Sequence, residues 1–180
     1  MADSALAVTN PIPGVLNNAK IYREGLDQLG VANLELPNFE AVTENLGGLG
    51  IAGEIEMPVK GHFKSMSVKL TWNTVNDNAI DLLEPKAHHL DIRGSLQEYD
   101  PGTGEFVDKP VKVVVRSIPK TNGIGKWEPG KKMDPETTLE VAYIKLWIGG
   151  QERVELDKFN FIFRVNGRDM LAGVRANLGL

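Results

Sequence analysis

Apolar side chains recur at every second position through much of this chain. Met66, Val68, Leu70 and Trp72 alternate with Ser67, Lys69 and Thr71, which is the repeat of a strand with one covered face. The same alternation predicts strands over 54–59, 90–99, 138–148 and 153–165, with a short one at 19–23. Residues 34–46 read as a strand interrupted at Pro37, a residue that suits an edge or a bend. Val111–Ile118 differs because Val113-Val114-Val115 are consecutive. That run predicts a strand covered on both faces.

Helical spacing is scarce. Residues 76–84 fit a helix capped by Asn76 or Asp77, with Ile80, Leu83 and Ala79 as its apolar stripe and Pro85 as its stop. A final helix, capped by Asp169 and carrying Met170, Leu171, Val174 and Leu178 on one side, follows the Asn166-Gly167 turn. Residues 24–30 read as a turn or one short helix closed by Gly30. Asp100–Gly104 and Gly149-Gly150 carry hairpin-turn chemistry, and 119–135 reads as a long polar loop. The breaker cluster Asn10-Pro11-Ile12-Pro13-Gly14 makes residues 1–16 an extended arm, leaving 17–180 as one domain. About seven strands and two short helices give a mainly-β fold, a sandwich or partly closed barrel with a helix on its flank.

Composition narrows the chemistry. The 180 residues carry a net charge of -4 and no cysteine, which argues against a basic nucleic-acid grip and removes disulfides and thiolate metal sites. No apolar run of about 18 residues and no basic-then-apolar leader is present, so a soluble chain without a membrane span is expected. Gly48, Gly50 and Gly53 spell G-x-G-x-x-G, but Glu54-Ile55-Glu56-Met57-Pro58-Val59 follows with strand spacing and a proline. A dinucleotide site needs a helix opening there, so the glycines read as a connection between two strands. His88 and His89 are neighbours on a predicted strand and point to opposite faces; they read as solvated or interfacial. His89 shares its face with Asp91, but two ligands make no metal site. Glu54 with Glu56 reads as a charged surface rather than a hydrolytic pair. Lys120, Lys126, Lys131 and Lys132 surround Trp127, read as the anchoring aromatic of a solvated loop.

Three stretches taken together resemble the major tail tube proteins of contractile-tailed bacteriophages and R-type bacteriocins. They are Gly30-Val31-Ala32 with Leu36-Pro37, Glu44-Asn45 and the glycine loop; Arg93-Gly94-Ser95 leading into the Asp100–Gly104 turn; and ERVELDKFNFIFRVNGRDMLAGVRANLGL at the C-terminus. The resemblance implies a non-enzymatic structural subunit without cofactor or metal. It implies hexameric rings stacked into a tube inside a contractile sheath, with strands of six subunits closing one inner barrel. The implied partners are further copies of the chain, the sheath protein, and the baseplate and tail terminator proteins. DNA passes through the lumen without specific binding, and the implied location is a virion tail or tail-like particle assembled in the bacterial cytoplasm.

The strand arithmetic agrees. A bore for a duplex about 20 Å wide needs a barrel roughly 40 Å across, which holds roughly 20 to 25 tilted strands. One chain cannot supply them, whereas six chains giving about four each can. On this reading Glu40, Glu44, Glu54 and Glu56 are lumen-facing candidates, since a basic wall would hold phosphates. Gly47, Gly48, Gly50 and Gly53 are candidates for a loop touching the next ring, and Asp169 and Arg175 for the sheath-facing side. A type VI secretion tube protein and a monomeric β-sandwich binding module are the competing readings.

Overall fold

A computed structural model describes residues 11–180 other than Leu26, with Ala32 described by its backbone alone. The elements run β1 (Ile12–Arg23), β2 (Asp27–Leu29), β3 (Val31–Glu35), β4 (Ala41–Gly47), β5 (Glu54–Phe63), β6 (Ser67–Trp72), α1 (Asp77–Asp81), β7 (His88–Asp100), β8 (Glu105–Asn122), β9 (Glu136–Ile148), β10 (Gln151–Asp157), β11 (Ile162–Val165), β12 (Arg168–Asp169) and α2 (Ala172–Leu178). The chain is mainly β, as expected.

Ten strands form one antiparallel sheet in the order β12-β11-β10-β9-β8-β7-β1-β2, to which β6 and β3 add through β9. The sheet forks at β9. Glu136–Glu140 pair with β6, whereas Tyr143–Ile148 pair with β10. Register shifts at Arg116/Ser117 and Pro119/Thr121 lie where β8 runs alongside that fork, and such shifts let one long strand bend between two directions. β6 pairs onward with β3, and Gly30 joins β3 directly to β2, so the sheet wraps back towards its own first edge. The result is a partly closed barrel.

The core sits inside this wrap. Met66, Val68, Leu70 and Trp72 all point inward, as their alternation predicts, against Leu90, Ile92, Val113, Val115, Leu139, Val141, Ile144 and Leu156. Each fully buried side chain of this size contributes about 1.5–3 kcal/mol. Trp72 also satisfies its indole N–H by donating to Thr137 Oγ1 at 3.0 Å.

Several expectations change. Residues 24–30 form no helix: Glu24 and Gly25 make a turn with positive φ, and the remainder holds β2, which returns onto β1. α1 lasts only five residues, so it builds no extended stripe; Ala79 and Leu82 face inward while Ile80 and Leu83 are exposed. Its cap is Asn76, whose side-chain oxygen accepts from the Ala79 N–H at 2.9 Å. Asp169 lies in β12 rather than capping α2, although its Oδ1 accepts from the Leu171 N–H at 2.9 Å. Val114 is only partly covered because the face away from the core is polar. Pro119–Asn122 extend β8, shortening the polar loop to 123–135. Of the expected arm, residues 1–10 lie outside the described residues, and Ile12–Leu16 run within β1 opposite Leu96–Tyr99 of β7.

Candidate assembly surface

β4 and β5 pair only with each other, as a two-stranded sheet separate from the main one. The hairpin is fixed at its base. Ala41 lies opposite Phe63, whose ring packs edge-on against Phe39 at 5.9 Å and Phe163 at 5.0 Å. Lys64 donates its backbone N–H to the Glu40 carbonyl at 2.9 Å, and its ammonium meets the Glu40 carboxylate at 2.6 Å. Beyond Thr43 both strands are exposed on both faces.

Register sorts the outer hairpin into two unlike faces. Opposed residues of an antiparallel pair share a face, and the pairs are Glu44/Met57, Asn45/Glu56, Leu46/Ile55 and Gly47/Glu54. One face therefore carries Leu46, Ile55 and Met57 with Glu44, and the other carries Asn45, Glu54 and Glu56. Thr43, opposite Pro58, donates its hydroxyl to the Glu56 carboxylate on that polar face. Leu46, Ile55 and Met57 are exposed despite being apolar. A two-stranded hairpin with a bare apolar face is marginal in water unless something covers it.

The glycines sit at the tip. The Ile51 N–H donates to the Gly48 carbonyl at 3.1 Å and the Gly53 N–H to the Ile51 carbonyl at 3.1 Å. Gly50 takes φ +94°, which L side chains rarely adopt. Leu49 projects fully into solvent between them. The strand connection expected from the sequence is what forms.

The four acids do not gather as the sequence reading grouped them. Glu54 and Glu56 share a face, Glu44 lies on the opposite one, and Glu40 stands at the base in its ion pair with Lys64. The register shift between Ala41 and Thr43 breaks the simple alternation that would link Glu40 to Glu44. Asp169 and Arg175 meet each other at 2.5 Å. Arg175 also donates to the Phe161 carbonyl at 2.9 Å, so the pair fastens α2 to the β10–β11 turn. The Arg175 guanidinium, with the Leu171 N–H, holds the Asp169 carboxyl below its usual range.

Two other readings are corrected. His88 is fully buried, 3.0 Å from the Glu84 carbonyl, rather than solvated or interfacial, because its strand face is the core face. Trp127 is 75% exposed on the loop after β8 rather than a buried anchor.

The polar face of the main sheet was not singled out from the sequence. Tyr22, Asp91, Val114, Lys145, Glu155, Arg164 and Asp169 stand in register across it. Opposite charges meet along this row: Lys145 lies 2.9 Å from Glu152 and 3.5 Å from Glu155, and Arg164 2.8 Å from Glu155. Arg93 covers the Tyr22 ring at 5.0 Å, and Lys112 covers Trp147 at 5.6 Å. Burial raises Asp91, but Arg93 and Lys112 outweigh it and hold that carboxyl low. Burial and the Glu155 carboxylate push the Tyr143 hydroxyl up to about 12. The available signal was the Tyr143-Lys145-Trp147 alternation, whose partners lie on other strands.

Residues 13–179 match the family model for phage tail tube protein FII. The tail tube protein of Escherichia phage P2 is 29% identical over 174 residues, covering 94% of this chain and 99% of the relative. The sheath/tube terminator of an extracellular contractile injection system (PVC) superposes with a TM-score of 0.50 at 17% identity, over 78% of this chain and 99% of that one. The PVC sheath-tube complex gives 0.47 at 15% identity, over 82% and 98%. The likeness to the terminator bears on the fold alone.

Proposed function

Since the chain belongs to the phage tail tube protein FII family, we propose that it assembles as stacked hexameric rings into the inner tube of a contractile tail or tail-like particle. The observation that carries this reading is the hairpin. A projecting β4–β5 ribbon with Leu46, Ile55 and Met57 uncovered has one apolar face too many for a lone chain. Assembly supplies the cover, and closing strands across subunits removes exposed sheet edges.

The tip loop Gly47–Gly53, with Leu49 at its apex, touches the next ring in the stack. Glu54 and Glu56 face the bore, where their negative charge gives DNA phosphates no hold. Glu44, on the apolar face, does not join them. Asp169 and Arg175 brace α2, which with the exposed Leu178 and Leu180 presents the outer side to sheath subunits. Baseplate and terminator proteins close the two ends, and assembly takes place in the bacterial cytoplasm. The role is structural, with no turnover and no cofactor.

Negative-stain microscopy with solution mass of the purified chain tests this. Rings or tubes are the expected result. A clean monomer at high concentration would refute the assembly reading and leave a lone β-sandwich binding module.

A further inference from the structure

The wrapped sheet does not seal. β2 pairs with β1 only at Ile21, Tyr22 and Arg23, so among the described residues the edge of β1 from Ile12 to Lys20 that faces away from β7 has no strand beside it. Beside that edge a cleft of about 480 Å³ opens into the apolar interior. Ile92, Val111 and Val113 line it from the main sheet and Leu34 and Leu36 from the β3 side, while Leu16 stands at the rim. Leu16 and Leu36 remain 55% and 45% exposed there.

The two faces of the sheet at this edge are unlike. Ala19 and Ile21 continue the core face with Gly94 and Ile92, whereas Lys20 stands in register with Arg93 and Lys112 on the polar face. A strand added to this edge must therefore be apolar on its inner side, and acids on its outer side would match Lys20. Strand β5 of the outer hairpin has that pattern, with Ile55 and Met57 on one face and Glu54 and Glu56 on the other, and Glu44 of β4 stands opposite Met57 at the base end of the apolar face. Among the described residues Lys20, Glu54 and Glu56 form no ion pair. No residue from 37 to 63 lines the chain's own cleft.

We infer that the β4–β5 hairpin of one copy adds to the free edge of β1 in the adjacent copy, laying Leu46, Ile55 and Met57 over the cleft and Glu54 and Glu56 beside Lys20. A knob and a hole on different parts of one surface make a head-to-tail contact, the kind that closes into rings. Main-chain hydrogen bonds along the edge supply affinity, and the alternating side chains supply register. This docking rests on the assembly reading above and specifies which surfaces meet.

Cross-linking tests it, and the absence of native cysteine gives a clean background. Chains carrying both Leu16→Cys and Ile55→Cys are assembled, oxidised and run on denaturing gels without reductant. The expected result is a ladder of covalent multimers that neither single variant gives. Tubes without a ladder would overturn the docking while leaving the tube reading intact; failure of the native chain to assemble would overturn both. A ladder from Leu16→Cys with Leu178→Cys, and none with Ile55→Cys, would assign the cleft to a neighbour's C-terminus and also overturn it. Charge exchange gives a second readout. Lys20→Glu alone, or Glu54→Lys with Glu56→Lys, should raise the concentration needed for assembly by about tenfold, and the combination should restore it. Full assembly of either charge variant at the native concentration counts against the proposed pairing.

Discussion

Gly50→Val separates folding from assembly. Gly50 holds φ +94°, and a Cβ built there meets nothing within 4 Å. The penalty is therefore backbone strain rather than collision. A non-glycine residue in such a region costs about 1–3 kcal/mol, with a β-branched one at the upper end. In a lone chain the tip can escape that cost by changing shape, because Leu49 is fully exposed and residues 47–53 are all solvent-exposed. The melting temperature of the monomer should stay within about a degree of the native value. A ring contact that requires the native tip meets the cost at each interface, weakening each by roughly 5- to 150-fold. Pelleting across a concentration series measures the threshold for polymerisation, and circular dichroism measures the melt. Gly125→Ala is the control. A Cβ there would lie 2.2 Å from the Met133 carbonyl oxygen, so this variant should lower the melting temperature before any assembly step. Native-length tubes from Gly50→Val at the native threshold would refute the role given to the tip. An unfolded Gly50→Val monomer would refute the strain argument.

Other expectations follow from single contacts. Asp169 has a depressed carboxyl in the folded chain, so its support of α2 is present above the ordinary value near 3.8 and disappears as pH falls through the lowered one; hydrogen exchange in 172–178 should rise only in strong acid, and Asp169→Asn should abolish that step. The Tyr143 hydroxyl should ionise only at about 12 in an ultraviolet titration, and Glu155→Gln should lower that value. Trp72→Ala should cost about 3–5 kcal/mol of monomer stability by opening a hole in the core and orphaning the Thr137 hydroxyl. A denaturant melt that moves by less than about 1 kcal/mol would remove Trp72 from the centre of the core.

Local pattern located most strand stretches and the inward side of several, but not the turn at 158–161 that divides the expected 153–165 strand into β10 and β11, nor the break at 36–40 that puts the two halves of 34–46 in different sheets. Met66, Val68, Leu70 and Trp72 needed only their own alternation, because a strand presents every second side chain to one face wherever it lies. The glycine stretch was likewise readable as a strand connection, since the spacing after Gly53 rules out a helix. Long-range geometry decided the rest. The face shared by Glu54 and Glu56 but not Glu44 depends on the hairpin register, and Glu40 is set apart by a register shift that no short window contains. Trp127 and His88 exchanged expected environments because burial depends on what the remainder of the chain lays over a residue. The fork at β9 and the unsealed edge of β1 are properties of pairing between strands far apart in sequence. Alternation tells a strand which side to hide; only the fold determines whether its own chain has anything to hide it with.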